Sequence, residues 1–128
     1  MYGMNGILVA QPNQRDKLVA VLIEAAALAG QMPGCDLYAV AVDLSNEVTI
    51  QVTELWESKE AHDESLKEEK VRALIADVMT LIGGPPQGAE MHVIDGHGLS
   101  FLPVVEPIYS SNKGVSTKPK CVLPSSPI

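Results

Sequence analysis

Apolar and polar residues alternate most cleanly over 47–56, EVTIQVTELW. Val48, Ile50, Val52 and Trp56 share one face with Glu54, and Thr49, Gln51, Thr53 and Leu55 take the other. A period of two predicts a strand with one face on a core. YGMNGILVA (2–10) also reads as a strand, apolar on both faces from Ile7 to Ala10. CDLYAVAVD (35–43) is apolar from Leu37 to Val42, which predicts a strand covered on both sides. AEMHVID (89–95) is the last strand, with Ala89, Met91 and Val93 on one face and Glu90, His92 and Ile94 on the other.

Helical spacing takes over between these strands. Leu18, Val21, Leu22, Ala25 and Leu28 form a stripe in a helix that runs to Gly30, and Asn13 is expected to cap it with Asp16 three residues on. Met32-Pro33-Gly34 is a turn, and Leu44-Ser45-Asn46 a hairpin loop. Ser58 is expected to cap a short helix, SKEAHDESL. A longer one follows from Glu68 to Ile82, with Val71, Leu74, Ile75, Val78, Met79 and Ile82 in its stripe, stopped by Gly83-Gly84-Pro85-Pro86. The order is β-α-β-β-α-β, an α+β, ferredoxin-like arrangement with both helices on one face of the sheet. The opposite face carries apolar side chains and would not stay bare, so a homodimer through the sheet face is expected.

Residues 99–128 break the pattern. Prolines at 103, 107, 119, 124 and 127 among Ser, Asn, Lys and Gly argue against helix and internal strand. The domain is therefore placed at 1–98, and 99–128 is a Pro-rich extension that either docks on a sheet edge or the partner, or is a disordered tail. Charge divides the same way. The chain carries a net −7, of which the extension holds +2 and the first 98 residues −9. An acidic body argues against nucleic acid and anionic membrane as partners. No apolar run reaches spanning length and no secretory signal is evident, so a soluble cytoplasmic protein is expected. Cys35 and Cys121 sit in no CxxC or Cys/His cluster, and Asp95 with His97 offers two ligands without a third, so no metal is expected.

VTELWESKEAHDESLKEEKVRALI resembles the antibiotic biosynthesis monooxygenase family in its strand ending at Trp56, its Ser58 cap, Lys59-Glu60-Ala61-His62 opening a helix, and the spaced apolar helix beyond. YGMNGILVAQPNQRDKLVAVLIEAA and Met32-Pro33-Gly34-Cys35 are similar to that family's first strand, first helix and lead into the second strand. The resemblance covers about residues 1–97. It implies a dimeric α/β barrel with a cavity between sheet and helices in each subunit. It further implies a cofactor-independent monooxygenase or quinol oxidase, without metal or flavin, acting on a small aromatic substrate and O2. The substrate is itself the reductant there, and the protein supplies desolvation, positioning and one proton acceptor. The chain departs from many members where Ser65 and Lys70 stand in place of the histidines of a pattern like EAFxxHxxxxH, and where Val52 stands in place of an asparagine.

Candidate residues follow. Trp56 is either a pocket wall that stacks on the substrate or a strand-end Trp packed under the helices. His62 is either the catalytic base or an exposed histidine of an acidic helix, since 54–70 holds seven acids and three lysines. Asn5 interrupts an apolar strand and is either a catalytic polar group or a backbone-bonded amide. Tyr38 and His92 are candidates for substrate binding. Two other readings use the same fold: a non-catalytic dimer that holds an apolar metabolite, and a heme-degrading enzyme.

Overall fold

The computed structural model describes residues 1–99. Met1–Val93 form one compact unit, and the segment from Ile94 belongs to a second. The proposed docking of the C-terminal extension, and Cys121, lie outside the described residues apart from Leu99. The elements are β1 (Tyr2–Val9), α1 (Arg15–Ala29), β2 (Cys35–Val42), β3 (Thr49–Trp56), α2 (Lys59–Ser65), α3 (Glu69–Leu81) and β4 (Gln87–His92). The strands form one antiparallel sheet in the order β2-β3-β1-β4. This is the expected α+β, ferredoxin-like arrangement, with the second helical stretch divided in two. Among the described residues no helix is long and apolar enough to cross a membrane.

Register decides which side chains meet. Tyr2 lies opposite Trp56 and His92, Met4 opposite Glu54 and Glu90, and Leu8 opposite Ile50. Directly opposed residues share a face, so Tyr2, Met4, Leu8, Ile50, Val52, Glu54 and Trp56 all point to one side. That side is the core. Leu18 and Leu22 of α1 pack there with Leu8, Ala10, Ile50, Val52 and Ile82, and Ala29 closes a second cluster with Tyr2 and Trp56. Burying each of these large apolar side chains stabilises the fold by about 1.5–3 kcal/mol. The alternation over 48–56 is borne out.

Three local expectations need correction. Asn13 does not cap α1; it takes a left-handed turn at φ 65°, which an asparagine tolerates, and Gln14 occupies the cap position without a side-chain bond. The last strand runs Gln87–His92, starting and ending earlier than 89–95. It is held by pairing to β1 from Tyr2 to Ile7, which sets its limits. Among the described residues strand β2 is covered on its helix face alone: Leu37, Ala39 and Ala41 are exposed on the face away from the helices, the face for which a second copy is expected. On that open face they neighbour Ile7, Val9, Leu55, Ala89, Met91 and Val93, and Val9, Leu37 and Met91 are about two-fifths exposed. Gly3 lies among them, where an added Cβ would sit 2.9 Å from Val93 Cγ2 and 3.2 Å from Leu55 Cδ2.

Candidate functional site

The end of β3 and the start of α2 build the site. Gly34 adopts φ +89°, and a Cβ there would come within 2.8 Å of the Ala61 Cβ, so only glycine lets this turn pass beneath α2. Its carbonyl accepts from the Glu57 backbone N–H at 2.7 Å, tying the turn to the end of β3. Ser58 Oγ accepts from the Ala61 N–H at 3.1 Å, the expected cap. These two constraints aim the inner face of α2 at Trp56.

His62 is therefore buried, at 6% exposure, and the exposed alternative is excluded. Its ring lies 5.2 Å from that of Tyr2 and meets Trp56 edge-on at 5.8 Å. Trp56 is 1% exposed, packed beneath the helix and against the imidazole, as the second of its two sequence readings describes. The Trp56 indole N–H donates to Glu54 Oε1 at 3.0 Å. The same oxygen is 3.8 Å from His62 Nε2, while Nδ1 lies 3.1 Å from Asp63 Oδ1. Ser65 Oγ donates to the His62 carbonyl at 2.6 Å.

Tyr38 lies opposite Glu54 on β2 and packs against both core clusters. Burial first, then the Glu54 charge, raise its phenol above the usual value. The Tyr2 hydroxyl donates to Glu90 Oε2 at 2.8 Å. Burial and that carboxylate push the Tyr2 phenol up to about 12. Lys59 Nζ closes the outside, 3.0 Å from Glu90, 3.8 Å from Asp63 and 5.5 Å from the centre of the Tyr2 ring. The hydrogen bond to Lys59 is the largest cause holding Glu90 below the usual carboxylate range. Beyond this latch opens a shallow cleft of about 450 Å³, lined by Met1, Tyr2, Glu57, Ser58, Lys59, Glu90, Met91 and His92.

Of the sequence candidates, the structure thus gathers Trp56, His62 and Tyr38 on one face and sets His92 on the rim of the cleft. Asn5 is not among them. It lies on the open face, its amide donating to Thr53 Oγ1 at 3.1 Å, with the sheet between it and His62. Glu54, Tyr2, Lys59 and Glu90 were not singled out as site residues. The signal for Glu54 was its place in the apolar register of an alternating strand. Among the described residues no three or more His, Cys, Asp or Glu side chains group so as to hold a metal ion. The arrangement is an imidazole between two carboxylates, walled by aromatic rings, which suits proton transfer in a dry setting.

The family model described as antibiotic biosynthesis monooxygenase matches residues 1–77. A crystal structure from Chloroflexus aurantiacus, of a candidate member of that family, is 39% identical, with a TM-score of 0.70, and the match covers 77% of this chain and 98% of that one. A similarly assigned structure from Deinococcus radiodurans is 25% identical, with a TM-score of 0.68, and the match covers 75% and 95%. SnoaB, a cofactor-independent oxygenase from Streptomyces nogalater, shares the fold at 9% identity and a TM-score of 0.67, over 75% of this chain and 95% of its own. No curated protein matches the sequence.

Proposed function

The chain belongs to the antibiotic biosynthesis monooxygenase family, and from that premise we propose that it is a cofactor-independent oxygenase acting on a small phenol or quinol. The observation that carries this reading is the buried imidazole of His62 held against the Trp56 indole. His62 accepts the substrate hydroxyl proton. The aromatic anion passes one electron to O2, and the radical pair recombines to form a ring C–O bond. Loss of water then leaves a quinone, so one phenol and one O2 give one quinone and one water. Trp56 walls the ring, Tyr38 is a polar positioner, and His92 borders the approach. Asn5 belongs instead to the open face, which we assign to contact with a second copy of the chain.

Oxygen uptake with a panel of phenols and hydroquinones tests this. Uptake that falls at least tenfold in His62→Ala is expected, in line with general-base contributions of about 10²–10⁴. No uptake above buffer from the wild-type protein overturns it. A binding module is the second reading, favoured by the close packing of Tyr2, Trp56 and His62. It would show as thermal stabilisation by a ligand that is recovered unchanged.

A further inference from the structure

Glu54 sits in the apolar row of β3, between Val52 and Trp56, with its side chain only 16% exposed. A carboxylate at such a position costs free energy unless it is hydrogen-bonded and paired. Its Oε1 is shared: the Trp56 indole N–H donates to it at 3.0 Å, and His62 Nε2 lies 3.8 Å away. The second distance is too long for a hydrogen bond but within reach of an ion pair. The other ring nitrogen, Nδ1, is within hydrogen-bond range of Asp63 at 3.1 Å.

Those distances divide the imidazole into two roles. A neutral ring carries one N–H and one lone pair. The shorter contact places the N–H on Nδ1, donating to Asp63, and leaves the lone pair on Nε2, facing the interior. We propose that Glu54 is a positioning residue for His62. Anchored by Trp56, it holds its charge beside Nε2 and pairs with the imidazolium when His62 takes the substrate proton. In that step the substrate O–H bond breaks and Nε2–H forms, and the electron pair stays on the substrate oxygen. The proposal rests on the reading of His62 as the proton acceptor, and it adds the group that makes a second charge tolerable in a dry site. In a Ser-His-Asp triad the orienting carboxylate lies on the N–H nitrogen, the side that Asp63 takes here, whereas Glu54 lies beside the accepting nitrogen and pairs with the charge that forms there. Other titratable groups face the ring or its partner: Lys59 and Asp63 on α2, Tyr2 on β1, Glu90 on β4, and Tyr38 and Cys35 on β2.

The test is nitrogen-15 NMR of histidine-labelled full-length protein, with oxygen uptake measured alongside. Glu54→Gln is expected to displace the His62 Nε2 resonance, and Asp63→Asn the Nδ1 resonance. With a turned-over phenol, Glu54→Gln is expected to lower kcat by roughly 10- to 100-fold with KM within about twofold, and Glu54→Asp to recover part of the loss. The wild-type protein supplies a readout that needs no variant. Its single indole N–H resonance should move as the His62 ring passes through its protonation step, because both share one carboxylate oxygen. An indole signal indifferent to that step, or an Nε2 signal unchanged in Glu54→Gln, overturns the proposal. Failure of the functional reading is separate: it appears as wild-type protein that consumes no oxygen, and the resonances still judge the pair.

Discussion

Replacing Trp56 with Phe removes one hydrogen-bond donor and leaves a small cavity, and a double-variant cycle separates the two, which makes the Glu54–Trp56 contact measurable. The indole N–H donates to a carboxylate in a largely buried setting. Losing a bond to a charged group costs about 1.5–3 kcal/mol. The smaller ring leaves roughly 40 Å³ unfilled, about 1 kcal/mol at the usual cavity cost of ~24 cal/mol per Å³. Trp56→Phe should therefore destabilise by about 2.5–4 kcal/mol. Glu54→Leu alone strands the indole N–H at a cost of about 1–3 kcal/mol. The double variant strands neither partner, so the two losses should fail to add, with a coupling of about 1.5–3 kcal/mol. Urea unfolding followed by far-ultraviolet circular dichroism is the suitable assay, because Trp56 is the sole tryptophan and its loss removes the fluorophore. Protein concentration must be fixed across the four proteins, since the proposed self-association would feed into apparent stability. A coupling below about 0.5 kcal/mol would refute the claim that this carboxylate depends on the indole.

Ser58→Ala removes the acceptor for the Ala61 N–H and should cost about 1 kcal/mol, read as a lower urea midpoint at unchanged slope. The raised Tyr2 phenol sets an alkaline limit. The phenol of the unfolded chain ionises near its ordinary value of about 10 and that of the folded chain near 12, so this contribution is complete below about pH 10 and is lost as pH climbs through about 12. Tyr2→Phe should abolish that part of the slope in denaturation measured from pH 9 to 12. Leu55→Lys puts a charge on the open sheet face, and sedimentation velocity should show a dimer giving way to monomer. A wild-type protein that sediments as a monomer at micromolar concentration would remove the assignment of that face.

How far the sequence reaches depends on whether its residues carry parity. The alternating run at 48–56 declared its inner face, and the structure keeps it. Ile7 to Ala10 is apolar at every position, so nothing told which parity faced the helices. Asn5 stands out only as a polar break in that strand, and Leu8, of opposite parity, is the residue that enters the core. His62 lay in a short acidic helix whose facing was open until Gly34 and the Ser58 cap fixed its rotation. Glu54 was visible as a charge in an apolar row. Its role depends on a donor two residues along the strand and an imidazole on the next element, and no local pattern encodes that meeting. Asn13 carries the residue type of a cap and of a left-handed turn alike, and the turn prevailed.

The placement of the first strand has a consequence for synthesis. Tyr2 is paired on one side with Trp56 and on the other with His92, so β1 gains its two neighbours only from strands that lie far downstream of it. A ribosome must deliver β3 before β1 gains its first neighbour, and β4 before it gains its second. Until then the greasy run around Ile7 to Val9 has no ladder to join and is open to wrong partners. Contacts between such distant stretches also slow the search for the native arrangement. Completion of the sheet thus waits for β4, although β1 stands at its interior between β3 and β4.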